Sequence, residues 1–417
     1  MKSSPARCPF TGDAKDLISP GLFRDGDPHA VWRYQRHMDP VSWQQVTDGL
    51  GFWSVTTYTD VERVLRDHES FTSEQGTMLV LLGRSDPASG RQMAVTDPPR
   101  HGELHDPVQR ALHVKAMEPR REQMREAIVE LLTPLGEDDK YDLAEHMAQV
   151  PMAMIGSLMD LPRDDWPHLT RLSLASVAPL DPILEETGDA ESVLNNVHRE
   201  LFAYFADLAE HRRRHPGDDL VSLLLGMERD GRPLTMGEIS SNCYGLLVGA
   251  NATTGQVVLN TLADLMGTAV LAEWSEDPGL LATGVEEALR WGTPTSHFMR
   301  YARTDVELRG KQIRAGDAVV AWPGSANRDE EVFTAADTFD VRRRPNRHLA
   351  FGSGPHYCVG HSVARIALRL LFAELFSRYS DFEPTGPGVR MYSNIIHGWT
   401  RMPVTAKVRT RRLPPAY

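Results

Sequence analysis

The sequence predicts a mainly α protein with a minor β part. Three observations lead there. Helical patterning runs with few interruptions from Pro98 to about Tyr379. Strand-like alternation is confined to short stretches. No repeat, low-complexity tract or flexible linker divides the chain, so residues 1–417 read as one domain.

Residues 1–50 are rich in proline and charge and are expected to wrap the surface. Residues 51–60 (GFWSVTTYTD) combine aromatic and β-branched side chains, which predicts a strand. Thr59 and Asp60 then open a helix through VERVLRDH. Residues 74–95 read as a long apolar loop, the kind that serves as a lid or binding loop. Prolines and glycines punctuate the helical region near Pro134, Pro162, Pro216, Pro233 and Pro278. Thr235-Met236-Gly237-Glu238 has capping-box spacing. The helix it opens is expected to continue to Gly267, which at its rise per residue would span ~45 Å. A second clear helix runs from about Pro278 to Trp291. Residues 305–322 alternate around glycine turns and predict a small sheet. A last helix follows Cys358, and the tail from 380 returns to short strands and turns.

The chain has 417 residues, 41% of them hydrophobic, enough for a sizeable core. A formal net charge of −12 argues against nucleic acid as a general partner. The three cysteines, Cys8, Cys243 and Cys358, are too few for a disulfide scaffold and fit a reducing compartment. The N-terminus lacks an apolar run of signal-peptide length, and no segment has the uninterrupted apolar length of a membrane helix. A cytoplasmic protein is expected.

The strongest chemical signal is Phe351-Gly352-Ser353-Gly354-Pro355-His356-Tyr357-Cys358-Val359-Gly360, followed directly by a helix. A thiolate at a helix N-terminus is stabilised by free amides and the positive end of the dipole. Closely spaced glycines let backbone approach a large flat ligand and aim amides at the sulfur. A cysteine alone in such a turn is more often a buried structural thiol.

The whole string resembles the haem-binding loop of the cytochrome P450 family, and the resemblance covers most of the chain from about residue 50. It implies a cytochrome P450-like fold, with a long central helix over haem b and Cys358 as the axial iron ligand. It assigns His356 to a haem propionate and Phe351 to a position under the ring near the sulfur. Gly352 and Gly360 are the loop glycines. Glu287-Ala288-Leu289-Arg290 matches the family's buried E-x-x-R, and Arg343 matches its later arginine; the three are read as a structural lock rather than as catalytic groups. Arg300 matches a propionate-binding arginine. In Asp97-Pro98-Pro99-Arg100-His101-Gly102-Glu103-Leu104-His105, His101 matches a propionate ligand, and His105 stands where the family has arginine. The two histidines at i and i+4 also allow a metal pair, with no third ligand in view.

Gly249-Ala250-Asn251-Ala252-Thr253-Thr254 resembles the family's oxygen-binding stretch. Gly249 and Ala250 would leave room beside the iron. Thr253 can bond the i−4 carbonyl and loosen the helix locally. The usual acid is replaced by Ala252, so the acid–alcohol relay lacks its titratable member. Asn251 with waters substitutes, or a substrate group supplies the proton, or the reaction is a coupling rather than a hydroxylation.

The resemblance implies a haem-thiolate monooxygenase, with electrons from NAD(P)H through an external ferredoxin and reductase. Positive charge at Arg342, Arg343, Arg344, Arg347, Arg365 and Arg369 would steer an acidic ferredoxin-type partner. Substrate contacts are expected from residues 75–95, Val248, Ala252, Thr295, Phe298, Ile395 and Ile396, which are mostly apolar. An apolar or aromatic small molecule, free or carrier-bound, and a role in antibiotic or other natural-product biosynthesis follow by analogy. A monomer without nucleic-acid or membrane partners is expected. The competing readings are oxidative coupling or peroxide use at the same haem, a non-catalytic haem or carrier-binding protein, and a helical scaffold with a structural cysteine.

Overall fold

The computed structural model describes residues 16–136, 141–184 and 188–410. Cys8 and the start of the N-terminal segment lie outside the described residues. Eleven helices of nine residues or more occur among those described. In chain order they are α1 (Pro28–Met38), α2 (Tyr58–Arg66), α3 (Arg100–Ala111), α4 (Arg121–Leu132), α5 (Leu143–Leu158) and α6 (Trp166–Val177), followed by α7 (Ala190–Arg214), α8 (Met236–Asn251), α9 (Thr254–Leu265), α10 (Leu281–Gly292) and α11 (His361–Arg378). A five-stranded sheet, order β1-β2-β5-β4-β3, flanks them. Its strands are β1 (Val41–Thr47), β2 (Leu50–Val55), β3 (Phe71–Thr72), β4 (Phe298–Ala302) and β5 (Ala318–Ala321). Only β2 and β5 pair in parallel, with Phe52 opposite Ala318. The mainly α reading with a minor β part holds.

The largest apolar core lies between α5, α8, α9, α10 and α11. Cys243, Leu247, Val258, Leu262, Val285 and Leu371 are at its centre, each fully buried. At an area-based return of about 25 cal/mol per Å², such side chains each contribute roughly 1.5–3 kcal/mol of burial. Two smaller cores lie against the sheet.

Two expectations need correction. The segment before residue 51 does more than wrap the surface. It forms α1 and β1, and Leu17, Phe23 and Trp32 pack with Phe52 and Trp322 in a buried cluster. Its proline at the start of α1 is compatible with a helix because the first amides need no partner.

The helix expected over 235–267 is two helices. The capping box is present: Glu238 N–H donates to Thr235 Oγ1 at 3.3 Å, and Thr235 N–H donates to the Glu238 carboxylate at 2.7 Å. The helix then stops at Asn251 and restarts at Thr254. Thr253 Oγ1 donates to the Gly249 carbonyl at 2.8 Å, taking the acceptor that the backbone ladder would use. The expected local loosening is therefore a full break.

Candidate active site around Cys358

Cys358 lies on the loop between Leu349 and α11. Local backbone bonds close this loop: Gly352 N–H to the Leu349 carbonyl, Tyr357 N–H to Gly354, and Cys358 N–H to Phe351, each at 2.9–3.0 Å. Gly354 has φ +73°, and a Cβ there would lie 2.6 Å from the Arg66 Cα. Only glycine meets both demands. Burial pushes the Cys358 thiol up, while the Gly360 N–H and the charge of Arg365 favour the thiolate.

The sulfur faces a cavity of about 340 Å³. Its floor includes Phe351, Gly352, His356, Cys358 and Gly360. Gly249, Ala250 and Thr253, at the helix break, wall it opposite, and no atom lies within 4 Å of a Cβ built at Gly249. Met93, Leu246, Pro294, Thr295 and Phe298 add a mostly apolar wall. No aspartate or glutamate lines it among the described residues.

The rim is polar and cationic. His101 stacks on His105 at 4.7 Å between ring centroids and meets His356 edge-on at 4.4 Å. Burial, with the neighbouring His356 and His105, pulls His101 down to about 3. Arg300 on β4 is buried, donates among the described residues only to its neighbour's carbonyl at Met299, and is pulled by burial down to about 10. A guanidinium buried without a bonded carboxylate calls for an anionic partner. The nearest candidate, Asp97, is already engaged. Burial alone would raise its carboxyl, but His356, Thr72, the Ser73 N–H and Arg303 overrule that and hold it below the usual carboxylate range.

The donor set therefore fits haem. Cys358 would supply the axial sulfur. Arg300, His101 and His356 would meet two propionates, and the Gly249–Ala250 surface leaves space for a flat ring. His105 lines the cavity, but its ring nitrogens face Asp106 Oδ1 at 3.1 Å and the Tyr357 carbonyl at 3.3 Å. That ties it to the cysteine loop and weakens its expected propionate role. The metal-pair alternative finds no third ligand, since no group of three metal-ligating side chains occurs among the described residues.

The lock residues meet in one buried cluster. Arg290 grips Glu287 with Nε and Nη2 at 2.8 and 2.7 Å. Arg343 Nε reaches the same carboxylate at 3.1 Å, and Asn346 donates to it at 3.0 Å. Arg290 also donates to the carbonyls of Asn327 and Ala336, fastening α10 to the segment that leads into the cysteine loop.

Five expected residues do not line the cavity: Val248, Asn251, Ala252, Ile395 and Ile396. Asn251 points away and donates to Ser173 Oγ on α6 at 3.2 Å. Ala252 is buried at 1% exposure in the helical core. A 3.6-residue period turns these side chains off the face that carries Gly249, Ala250 and Thr253. Ile395 is used by its backbone, accepting from Ser296 N–H at 2.8 Å.

Gln92, within the expected 75–95 segment, lines the cavity, whereas Asn242, also on its wall, was not singled out from the sequence. Asn242 accepts from Met93 N–H at 2.9 Å and donates to the Arg91 carbonyl at 2.9 Å. Gln92 donates to the Ser241 carbonyl at 2.9 Å. For Asn242 the available signal was an amide beside Cys243 on the predicted helix, although nothing local paired it. Of the basic cluster, Arg344, Arg347 and Arg369 are exposed, whereas Arg342 pairs with Glu273 and Arg365 with Glu286.

A half-buried cysteine just before a helix, below an apolar cavity with a cationic rim, defines a haem-thiolate protein. More narrowly, the chain belongs to the cytochrome P450 family and is an oxidoreductase of the P450 monooxygenase kind. The cytochrome P450 family model matches residues 279–396. Cytochrome P450 NovI of Streptomyces niveus is 35% identical over 411 residues, covering 97% of this chain and 99% of that one. Linalool 8-monooxygenase of Pseudomonas putida is 33% identical over 400 residues, covering 92% and 96%. The crystal structure of P450 OxyD, which is involved in the biosynthesis of vancomycin-type antibiotics, superposes with a TM-score of 0.84 at 30% identity, covering 94% of this chain and 100% of that one. Among the described residues, no helix is long and apolar enough to cross a membrane.

Proposed function

We propose that this monooxygenase inserts one oxygen atom of O2 into an apolar or aromatic small molecule of secondary metabolism, residues 1–417 acting as one catalytic domain. The observation that carries the proposal is the apolar cavity above Cys358, lined among the described residues without a carboxylate. OxyD, involved in the biosynthesis of vancomycin-type antibiotics, supports the natural-product setting. Electrons would come from NAD(P)H through an external ferredoxin and reductase, the exposed Arg344 and Arg347 offering a docking charge.

Bound haem supplies the oxygen activation. The protein's part follows from the site. Cys358 would hold the iron through its sulfur and supply it with electron density. Arg300, His101 and His356 would hold the two carboxylates and keep the ring in the cavity. The apolar wall orients substrate and excludes water. Thr253 Oγ1 keeps its proton on the Gly249 carbonyl, so its lone pairs are free to accept on the cavity side. With Ala252 buried and Asn251 bonded to Ser173, neither can hand on a proton there, and the source is water or a polar group of the substrate itself.

The absence of an acid from the described cavity wall also favours a second reading, oxidative coupling at the same centre. Two measurements separate the possibilities. The reduced carbon-monoxide complex of the wild type should show the red-shifted Soret band of thiolate ligation, and Cys358→Ser should lose it; a wild type without the band would refute the assignment. Turnover under labelled O2, with a substrate found by a binding-spectrum screen, should place one labelled atom in the product. An unlabelled product would establish coupling instead.

A further inference from the structure

Arg365 stands in the second turn of α11, beside the cysteine loop. Its guanidinium lies 4.5 Å from the centroid of the Phe351 ring. Nη1 donates to Tyr357 Oη at 3.3 Å and meets His361 Nδ1 at 3.2 Å. Phe351 and Tyr357 precede Cys358 in sequence and His361 follows it, and Cys358 N–H is bonded to the Phe351 carbonyl. The cation is thus attached to the loop on both sides of Cys358. Its other edge forks onto Glu286 of α10, Nε to Oε1 at 2.8 Å and Nη2 to Oε2 at 3.0 Å. Glu286 also faces His348 Nε2 at 3.2 Å and Arg369 at 4.0 Å. The side chains of Arg365 and Glu286 are each 24% exposed, so solvent screens them only in part.

An ordinary surface pair would contribute little and would turn toward water. This one is turned inward, its cation on an aromatic face beside the sulfur. Adding an electron to the centre makes it more negative by one unit. A fixed cation nearby favours that reduced state, and an anion behind the cation attenuates the effect.

We propose that Arg365 and Glu286 are positioning residues that act through Cys358 to set the electron affinity of the centre, Arg365 raising it and Glu286 moderating it. The proposal rests on the haem-thiolate reading above. It separates cleanly from a mechanical role. A brace is broken equally by removing either partner, so both variants would move the centre the same way. Electrostatic tuning moves them in opposite directions.

The test is a mediated redox titration of the haem-loaded full chain, with no ferredoxin present. Arg365→Gln should lower the reduction equilibrium constant about tenfold, some ~59 mV for one electron. Glu286→Gln should raise it, by about threefold to tenfold, and Arg365→Lys, which keeps the charge, should stay closer to wild type than Arg365→Gln. Shifts of the same sign in the two glutamine variants, or none beyond the titration error, overturn the proposal. Should Arg365→Gln not retain haem, Glu286→Gln decides alone, and an unchanged or lowered constant overturns the proposal. A wild-type carbon-monoxide complex without the thiolate band would instead bring down the haem-thiolate reading itself. A normal band with unmoved potentials brings down only the tuning role.

Discussion

The floor and the roof of the cavity are built by different rules. The floor, residues 349–361, closes on itself through backbone bonds between residues at most seven apart. It stands on the Glu287–Arg290–Arg343 cluster, in which the carboxylate and Arg290 are both 0% exposed. The roof, residues 76–95 with the helix break, is held by partners distant in the chain. Leu79 N–H donates to His297 Nε2, Met299 N–H donates to the Thr77 carbonyl, and Asn242 clasps Arg91 and Met93. A locally closed loop would keep the Cys358 sulfur in place whatever the substrate. A roof pinned at a few long-range points can change its lining without disturbing that ligand.

The largest test of this contrast is Arg290→Ala. It leaves the buried Glu287 carboxylate with Arg343, Asn346 and the Asp340 N–H, and deprives the Asn327 and Ala336 carbonyls of a donor. A loss of about 3–5 kcal/mol is expected, read as a lower urea midpoint with poor haem retention. A midpoint near wild type would mean that the floor does not depend on the cluster.

Next is a pH effect on the roof. Burial pulls His297 down to about 4 from an ordinary 6.5, although its bond to the Asn394 carbonyl opposes this. The folded imidazole is neutral and accepts from Leu79 N–H, while the unfolded chain takes up its proton near 6.5. Its stabilisation is therefore complete above that pH and is lost as pH falls toward 4, by about 2 kcal/mol at pH 5. Urea unfolding at pH 7 and 5 should show His297→Gln losing correspondingly less than wild type. Equal losses would exclude His297 as the roof's acid-sensitive pin.

The last comparison makes one substitution in both regions. Gly354→Ala meets a positive φ and the Arg66 backbone, and should lower stability by about 1–3 kcal/mol. Gly249→Ala meets nothing within 4 Å and sits in a helix, so it should be neutral or stabilising by up to about 1 kcal/mol while narrowing the cavity. Thermal midpoints of the two variants check both. Similar midpoints would erase the distinction between floor and roof.

The sequence by itself determined the α-rich class, the cysteine loop, the capping box at Thr235 and the Glu287–Arg290 pair, because each depends on residues close in the chain. Spacing along one helix or one turn already sets those contacts. Tertiary structure decided the rest. It stopped the helix at Asn251, sent Asn251 toward Ser173, buried Trp32 against Trp322, tied His105 to the Tyr357 carbonyl and paired Gln92 and Asn242 with backbone about 150 residues away. Those outcomes depend on which elements meet across the core, and local propensity carries no information about a partner so far along the chain.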